Sequence, residues 1–231
     1  MTFRDSKPAI EEVVSTYRGL VSSICRRMIQ NPEAVKDAEQ EVWLEVVRSY
    51  PSFRGESRVS TWVYTITSRV VMDYARKERL HTSRFLRDYF HAGEAELLSY
   101  PDFDQKIWVK EMCDKCLTGV LRCLDQESRL AYVFRDIAQL PYGEISEVLG
   151  REEAAVRKIV SRARRKLQGF LKDECVLNNP SARCRCRMNR WVTQVNLPEE
   201  YERLKKTVYR LNFYRASEMV LPRKEFWEKF I

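Results

Sequence analysis

Apolar residues recur every three or four positions along most of this chain, a spacing that places them on one face of an α-helix. The spacing holds over residues 10–28, 37–50, 60–80, 106–124, 128–140, 141–150, 152–171 and 197–220. Only 7 glycines and 8 prolines interrupt the 231 residues, too few for a turn-rich β protein. The pattern therefore predicts an all-α fold.

Several positions predict where helices begin and end. Asn31 is a good N-cap, and Pro32 suits a first helical turn, where its missing N–H costs nothing. Gly55 marks a polar loop, and Gly150 marks a tight turn between two short helical segments.

Composition narrows the function classes. The net charge of +8 favours a polyanionic partner. Two histidines and no Gly-rich phosphate loop argue against an enzyme. No apolar run is long enough to span a membrane, and no export signal begins the chain. The odd number of cysteines, 7, then favours reduced thiols in a cytoplasmic protein over a disulfide framework.

Residues 141–168 follow the helix-turn-helix pattern of DNA-binding proteins, in which a basic second helix enters the major groove. Val156, Val160, Ala163 and Leu167 are expected to bury one side of that helix. An ordinary solvated basic helix is the alternative. The exposed side is expected to carry Arg157, Lys158, Ser161, Arg162, Arg164, Arg165 and Lys166.

Residues 53–77 mix aromatic and basic side chains around the Gly55 loop, a combination that suits unstacked single-stranded bases. The alternative is that Trp62 and Tyr74 belong to the hydrophobic core, which their helical spacing favours. Phe53 and Tyr64 remain open as stacking faces.

One helix face carries Asp37, Glu41 and Glu45, about one turn apart, with Arg48 beside them. A solvated surface is the usual explanation for such a stripe. The alternative is a docking surface for a basic protein.

The cysteines fall into two groups. Cys113, Cys116 and Cys123 lie in a helical pattern and can be apolar fillers. Cys175, Cys184 and Cys186 resemble part of a thiolate zinc site that would need a fourth ligand. Packed or redox-responsive free thiols are the alternative, so no cofactor is required and a structural zinc stays open.

The order of these segments resembles the extracytoplasmic-function (ECF) group of bacterial sigma factors. Residues 37–77, with D-A-E-Q-E-V, F-R-G and T-W-V-Y-x-I, resemble their second conserved region. Residues 117–171, with E-I-x-E-V-L-G and R-A-R-R-K-L, resemble their fourth. The resemblance implies a region 2-like domain (1–80), an acidic linker (81–104), a region 4-like domain (105–172) and a helical extension (173–231).

The resemblance also implies a role and its residues. Such proteins bind core RNA polymerase and direct it to double-stranded and melted promoter DNA in the bacterial cytoplasm and nucleoid, without catalysis. Asp37, Glu41, Glu45 and Arg48 would dock polymerase. Phe53, Arg54, Gly55, Ser57, Arg58, Trp62, Tyr64, Arg69, Asp73, Arg76 and Lys77 would bind the −10 element. Arg157, Lys158, Ser161, Arg162, Arg164 and Arg165 would bind the −35 element.

The chain departs from the family pattern in two places. Where the recognition helix often reads T-V-K-S-R, this chain has residues 155–159, A-V-R-K-I. Lys158 suits phosphate, and Ile159 cannot donate a hydrogen bond, so backbone attraction is expected to outweigh base reading. The extension is expected to cover the neighbouring domain or to bind an anti-sigma regulator, polymerase or a DNA-bound recruiter.

Two other functions fit parts of the pattern. A stand-alone helix-turn-helix regulator would not need the acidic face and the aromatic loop. A sigma-like adaptor would bind polymerase without selecting promoters itself, which the altered recognition helix favours.

Overall fold

The structure, a computed structural model, describes residues 8–78, 119–175, 179, 181 and 182. Every regular element in those ranges is helical, which confirms the all-α fold. Contacts divide the chain into two units, residues 1–79 with 126–160 and residues 80–125 with 161–231. Within the described part of the chain, no helix is long and apolar enough to cross a membrane.

Three helices begin the first unit: α1 (Ile10–Met28), α2 (Pro32–Ser49) and α3 (Val59–Arg76). A short 3₁₀ turn (Tyr50–Ser52) and a loop over 53–58 join α2 to α3. The three helices pack pairwise, because each carries the apolar stripe that its spacing predicts. Their buried side chains include Val13, Val21, Ile24, Met28, Val35, Val42, Val46, Val63, Ile66 and Val70.

The start of α2 confirms the predicted cap. The side chain of Asn31 accepts a hydrogen bond from the backbone N–H of Glu33 at 2.9 Å, and Pro32 occupies the first helical position. The cap satisfies a backbone donor that the helix itself leaves unpaired.

A second group of helices packs on α1 and α3 in the same unit. Helix α4 (Gln126–Tyr132) continues as a π-helical segment (Val133–Ile137), and α5 (Tyr142–Leu149) follows. The spacing predicts an ordinary helix over 128–140, and the π segment is a departure from it. Its end is defined by the bond from the Ala138 N–H to the Val133 carbonyl, five residues back.

The packing of α4 is fixed by polar as well as apolar contacts. Gln126 donates to the Ala75 carbonyl at 2.7 Å, and Arg129 donates to the Met28 carbonyl at 3.1 Å. These carbonyls lie in the last turns of α3 and α1, where regular intrahelical partners run out. The Ala75 carbonyl also accepts from the Glu78 N–H at 3.1 Å. Phe134 is fully buried.

The predicted helix-turn-helix is present as α5, a turn at Gly150, and α6 (Glu153–Glu174). Gly150 has φ of 59°, a left-handed conformation that glycine adopts without steric cost. The predicted inner face is confirmed, since Val156, Val160, Ala163 and Leu167 are at most 3% exposed.

The described residues of the second unit are 119–125, the later turns of α6, and a few residues after it. Val120, Leu121 and Leu124 are buried, and Lys166 donates to the Cys123 carbonyl. The predicted linker (81–104) and nearly all of the extension (173–231) lie outside the described residues. The predicted domain bounds stay a prediction, because packing alone does not show which segments fold independently.

Candidate polymerase-binding and DNA-binding surfaces

The predicted acidic face of α2 lies on the surface. Asp37, Glu41, Glu45 and Arg48 are all exposed and follow one another about one turn apart. Arg48 lies 3.7 Å from Glu45, and Glu41 accepts a hydrogen bond from the Tyr74 hydroxyl at 3.0 Å. Burial, and then the Glu41 carboxylate, raise the pKa of Tyr74.

Two apolar side chains lie among these charges. Leu44 is 68% exposed and Val47 is 52% exposed. Leu44 is one turn from both Glu41 and Arg48, so it shares their face. An apolar centre with a charged rim is typical of a protein interface. The helical spacing places Val47 beside the buried stripe. We did not predict that Leu44 belongs to this exposed face, although its apolar side chain at a position away from the buried stripe could have indicated it.

Three aromatic rings meet at the loop between α2 and α3. The Phe53 and Trp62 ring centroids are 5.0 Å apart, and Tyr50 lies 6.2 Å from Phe53 and 5.8 Å from Trp62. The Tyr50 hydroxyl donates to the Pro8 carbonyl. Tyr50 is buried, whereas Phe53 and Trp62 are half-buried and keep part of each ring accessible. We call Tyr50, Phe53 and Trp62 the aromatic cluster.

The loop that follows the aromatic cluster is polar and exposed. Arg54, Ser57 and Arg58 are exposed, and Gly55 has φ of 73°, with open space where a side chain would begin. A left-handed residue there turns the chain sharply into α3. Arg58 is the N-cap residue of α3. Two exposed arginines, Arg54 and Arg58, therefore lie in the loop between the half-buried Phe53 and the start of α3.

The outer side of α3 has mixed charge. Arg69, Asp73, Arg76 and Lys77 are exposed, Arg76 pairs with Asp73 at 2.8 Å, and the Lys77 ammonium lies 5.2 Å from the Tyr74 ring centroid. Tyr74 itself is half-buried, so neither it nor Trp62 is a fully buried core residue.

The expectation that Tyr64 offers a stacking face to DNA is wrong for this structure. Tyr64 is 4% exposed, with ring centroids 5.8 Å from Tyr17 and 6.1 Å from Phe134. Burial raises its pKa. The reason is that α4 and its π segment cover the side of α3 from which Tyr64 projects.

The basic side of α6 lies outward, as the helical period predicts. Arg157, Lys158, Ser161, Arg162, Arg165 and Lys166 are exposed, and Arg164 is half-buried. Two neighbours orient Arg157. Its guanidinium lies 2.5 Å from the Glu153 carboxylate and 4.4 Å from the Tyr142 ring centroid. Arg135 lies 4.5 Å from the same ring. We did not predict this role for Tyr142, which has no helical-period signal.

The structure describes three of the cysteines, Cys25, Cys123 and Cys175. Cys25 and Cys123 are buried, and burial raises the pKa of Cys25 to about 12, as expected of an apolar filler. Cys175 is half-buried, whereas Cys113, Cys116, Cys184 and Cys186 lie outside the described residues. Within the described ranges no three His, Cys, Asp or Glu residues group as metal ligands. The zinc site stays a prediction.

Two family models match the chain. Sigma-70 region 2 matches residues 13–81, and Sigma-70, region 4 matches residues 114–167. These regions define a bacterial sigma factor, the subunit that binds core RNA polymerase and directs it to promoter DNA. The chain belongs to the ECF group of sigma factors.

The similarity of this chain to named sigma factors supports its assignment to the ECF group. The chain is 25% identical over 170 residues to RNA polymerase sigma factor YlaC of Bacillus subtilis, covering 73% of this chain and 93% of the relative. It is 24% identical over 177 residues to ECF RNA polymerase sigma factor SigW of B. subtilis (74% and 92%). It is 25% identical over 167 residues to the ECF RNA polymerase sigma-E factor of Escherichia coli (70% and 85%).

Solved structures share the fold. CnrH in complex with the cytosolic domain of CnrY matches with a TM-score of 0.54 at 18% identity, covering 71% of this chain and 87% of that one. The sigma factor RpoE in complex with the anti-sigma factor NepR, from Bartonella quintana, matches with a TM-score of 0.50 at 18% identity (70% and 96%).

Proposed function

We propose that this sigma factor divides its work among three surfaces. The face of α2 docks core polymerase, the aromatic cluster and its loop hold a base of the melting −10 element, and the basic side of α6 contacts the −35 duplex. The observation that carries the proposal is the half-exposed Phe53–Trp62 pair, 5.0 Å apart, beside exposed arginines.

The −10 assignment follows from the energetics of DNA melting. A base that leaves the duplex loses its stacking neighbours, and an aromatic face restores about 1–3 kcal/mol per base. Phe53 and Trp62 keep accessible ring surface, and Arg54 and Arg58 provide charge for the strand's phosphates. Tyr64 is not included, because it is buried.

The docking assignment follows from the chemistry of the α2 face. Leu44 and Val47 offer exposed apolar area, and Glu41 and Glu45 surround them with negative charge. This combination suits a basic protein surface with an apolar centre.

The −35 assignment rests mainly on phosphate contacts. Lys158 and Arg162 are exposed on α6, whereas the side chain of Ile159 has no hydrogen-bond donor or acceptor with which to read a base. Promoter affinity at this element should therefore be sensitive to salt and only weakly sensitive to base sequence.

The remaining assignments extend this proposal. The protein acts without catalysis of its own, in the cytoplasm and on the nucleoid. Residues 173–231 bind a partner, either an anti-sigma regulator or a DNA-bound recruiter, whose tethering compensates for weak −35 reading. Of the solved structures named above, one is a complex with the anti-sigma factor NepR and the other a complex with the cytosolic domain of CnrY.

The test is transcription by purified core polymerase on host DNA fragments, with mapping of RNA 5′ ends. Discrete starts that share upstream elements and depend on this protein are expected. Starts that vanish on deletion of 173–231 would support a recruiter, and unchanged starts and partners would contradict it. Stable polymerase binding without discrete starts would favour the adaptor.

A matched pair of variants tests the docking face. We expect Glu45→Lys to weaken capture of core polymerase by about tenfold, because a like charge opposes a basic partner. Glu33→Lys makes the same charge change at the first turn of α2, where the exposed Glu33 carboxylate pairs with the exposed Lys36, and should leave capture unchanged. Equal effects of the two variants would contradict the assignment.

A further inference from the structure

Helix α3 donates hydrogen bonds to a carboxylate near each of its ends. Near its start, the Ser60 and Thr61 hydroxyls donate to the half-buried Glu144 at 2.6 and 3.1 Å, as part of the packing of this unit. Near its end, the Tyr74 hydroxyl donates to Glu41 of α2 at 3.0 Å, and Glu41 is exposed. An exposed carboxylate gains little by exchanging water for a protein donor, so stability alone does not explain the second bond.

Tyr74 lies between the acidic face of α2 and the basic end of α3. Burial first, then the hydrogen bond and charge of Glu41 and the charge of Asp37, raise the pKa of Tyr74. The hydroxyl therefore keeps its proton and remains a donor near neutral pH. The half-buried ring also lies 5.2 Å from the Lys77 ammonium, measured to the ring centroid. One side chain thus contacts a member of each of two exposed charged surfaces.

The hydroxyl fixes a side chain that a partner would otherwise have to fix. A free glutamate side chain loses rotamer freedom when a partner binds it, and that loss lowers the affinity. The bond from Tyr74 orders Glu41 before any partner arrives. An ionised carboxylate has about four acceptor positions, so one bond to Tyr74 leaves others for a basic partner.

We propose that Tyr74 is a positioning residue shared by two surfaces: its hydroxyl orients Glu41 for core polymerase, and its ring orients Lys77 for the −10 strand. The inference rests on the proposed docking face and on the assignment of Lys77 to −10 DNA. Because the hydroxyl and the ring serve different partners, substitutions can remove the two roles one at a time.

The first measurement is the Kd of the full-length chain for core polymerase. Tyr74→Phe removes the hydroxyl and keeps the ring. We expect the Kd to rise about two- to tenfold, because Glu41 must then be ordered during binding. The rate of promoter opening by the saturated complex should stay at the wild-type level, since the ring still faces Lys77. An unchanged Kd would overturn the role of the hydroxyl.

A double-mutant cycle separates positioning from a general effect on stability. Glu41→Ala and Glu45→Ala remove the same side chain from the same face, and the Tyr74 hydroxyl bonds to Glu41. Tyr74→Phe should therefore raise the Kd further in the Glu45→Ala background and leave it unchanged in the Glu41→Ala background. Equal effects in the two backgrounds would show that the hydroxyl does not act through Glu41, and would overturn the proposal.

Tyr74→Leu tests the ring, because it removes both the hydroxyl and the π-face and keeps an apolar side chain. We expect the same rise in Kd for polymerase as in Tyr74→Phe. In addition, promoter opening by the saturated complex should slow by about two- to fivefold. Circular dichroism at the assay temperature shows whether the variant is folded. Equal opening rates for the Phe and Leu variants would overturn the role of the ring.

The same variants distinguish failure of this inference from failure of the proposed function. If Glu41→Ala weakens polymerase capture and Tyr74→Phe does not, the docking face stands and the positioning role fails. If Glu41→Ala binds polymerase as tightly as wild type, the docking assignment is contradicted and the positioning role with it.

Discussion

The loop before α3 and the first turns of α6 both expose arginine, but they surround it with different neighbours. Beside the loop, Phe53 and Trp62 are 5.0 Å apart and only half-buried. At α6, the guanidinium of Arg157 already lies between the Glu153 carboxylate and the Tyr142 ring. The loop offers ring surface to a ligand, whereas the Tyr142 ring of α5 orients the Arg157 cation of α6.

This difference separates two kinds of DNA contact. Accessible rings gain energy only from a base that has left the duplex, so the loop should matter most during melting. An oriented guanidinium and neighbouring lysines act on the intact duplex, mainly through phosphates. Variants of the loop should therefore change mainly the rate of promoter melting, and variants of α6 should change mainly duplex binding and its dependence on salt.

The largest effect is expected from Trp62→Ala. Loss of the ring removes a stacking face worth about 1–3 kcal/mol and should lower the rate of promoter opening by about 5- to 150-fold. The measurement is permanganate reactivity of melted thymines over time, at a temperature where circular dichroism shows the variant folded.

Trp62→Phe is the control, because it keeps a π-face against Phe53 and Tyr50. It should retain most of the opening rate. If both substitutions slow opening equally, the indole is acting through its own shape or N–H, and the stacking argument fails.

An intermediate effect is expected from Tyr142→Ala. The change removes the ring between Arg135 and Arg157, a contact of about 0.5–1 kcal/mol for each exposed cation. We expect binding of promoter duplex to weaken about threefold and melting of bound DNA to be unchanged. Tyr142→Phe keeps the ring and should match wild type. Loss of binding in Tyr142→Phe would point to the hydroxyl instead.

Much of the fold follows from local sequence signals. The cap at Asn31, the left-handed turn at Gly150 and the inner face of α6 were predicted because each depends on residues a few positions apart. The π segment at Val133–Ile137 was not predicted, since it satisfies the same apolar period as an ordinary helix.

The sites were predictable in part for the same reason. Exposure of the acidic face and of the α6 basic side follows from helical period. Burial of Tyr64 does not, because its neighbour Phe134 is 70 residues away in sequence. The bonds from Ser60 and Thr61 to Glu144 span a similar separation and involve residue types that are common on any helix surface.

A smaller effect is expected from Lys158→Ala. Lys158 is exposed on α6, and its ammonium suits a phosphate rather than a base edge. Duplex binding should weaken by about two- to threefold at every sequence tested, with the slope of log affinity against log salt reduced by about one. A loss confined to one base position would contradict phosphate contact. Such a result would show that Lys158 contacts a base edge.

The smallest effect on DNA is expected from Asn31→Ala, which lies in neither surface. The substitution removes the bond from the Glu33 N–H and should lower the free energy of unfolding by about 1 kcal/mol. That loss corresponds to a fall in Tm of about 3 °C, measurable by circular dichroism. Promoter opening and duplex binding at 25 °C should stay at wild-type levels, because most of the protein remains folded. If Asn31→Ala impaired opening as strongly as Trp62→Ala, the effect of Trp62 would reflect general stability rather than stacking.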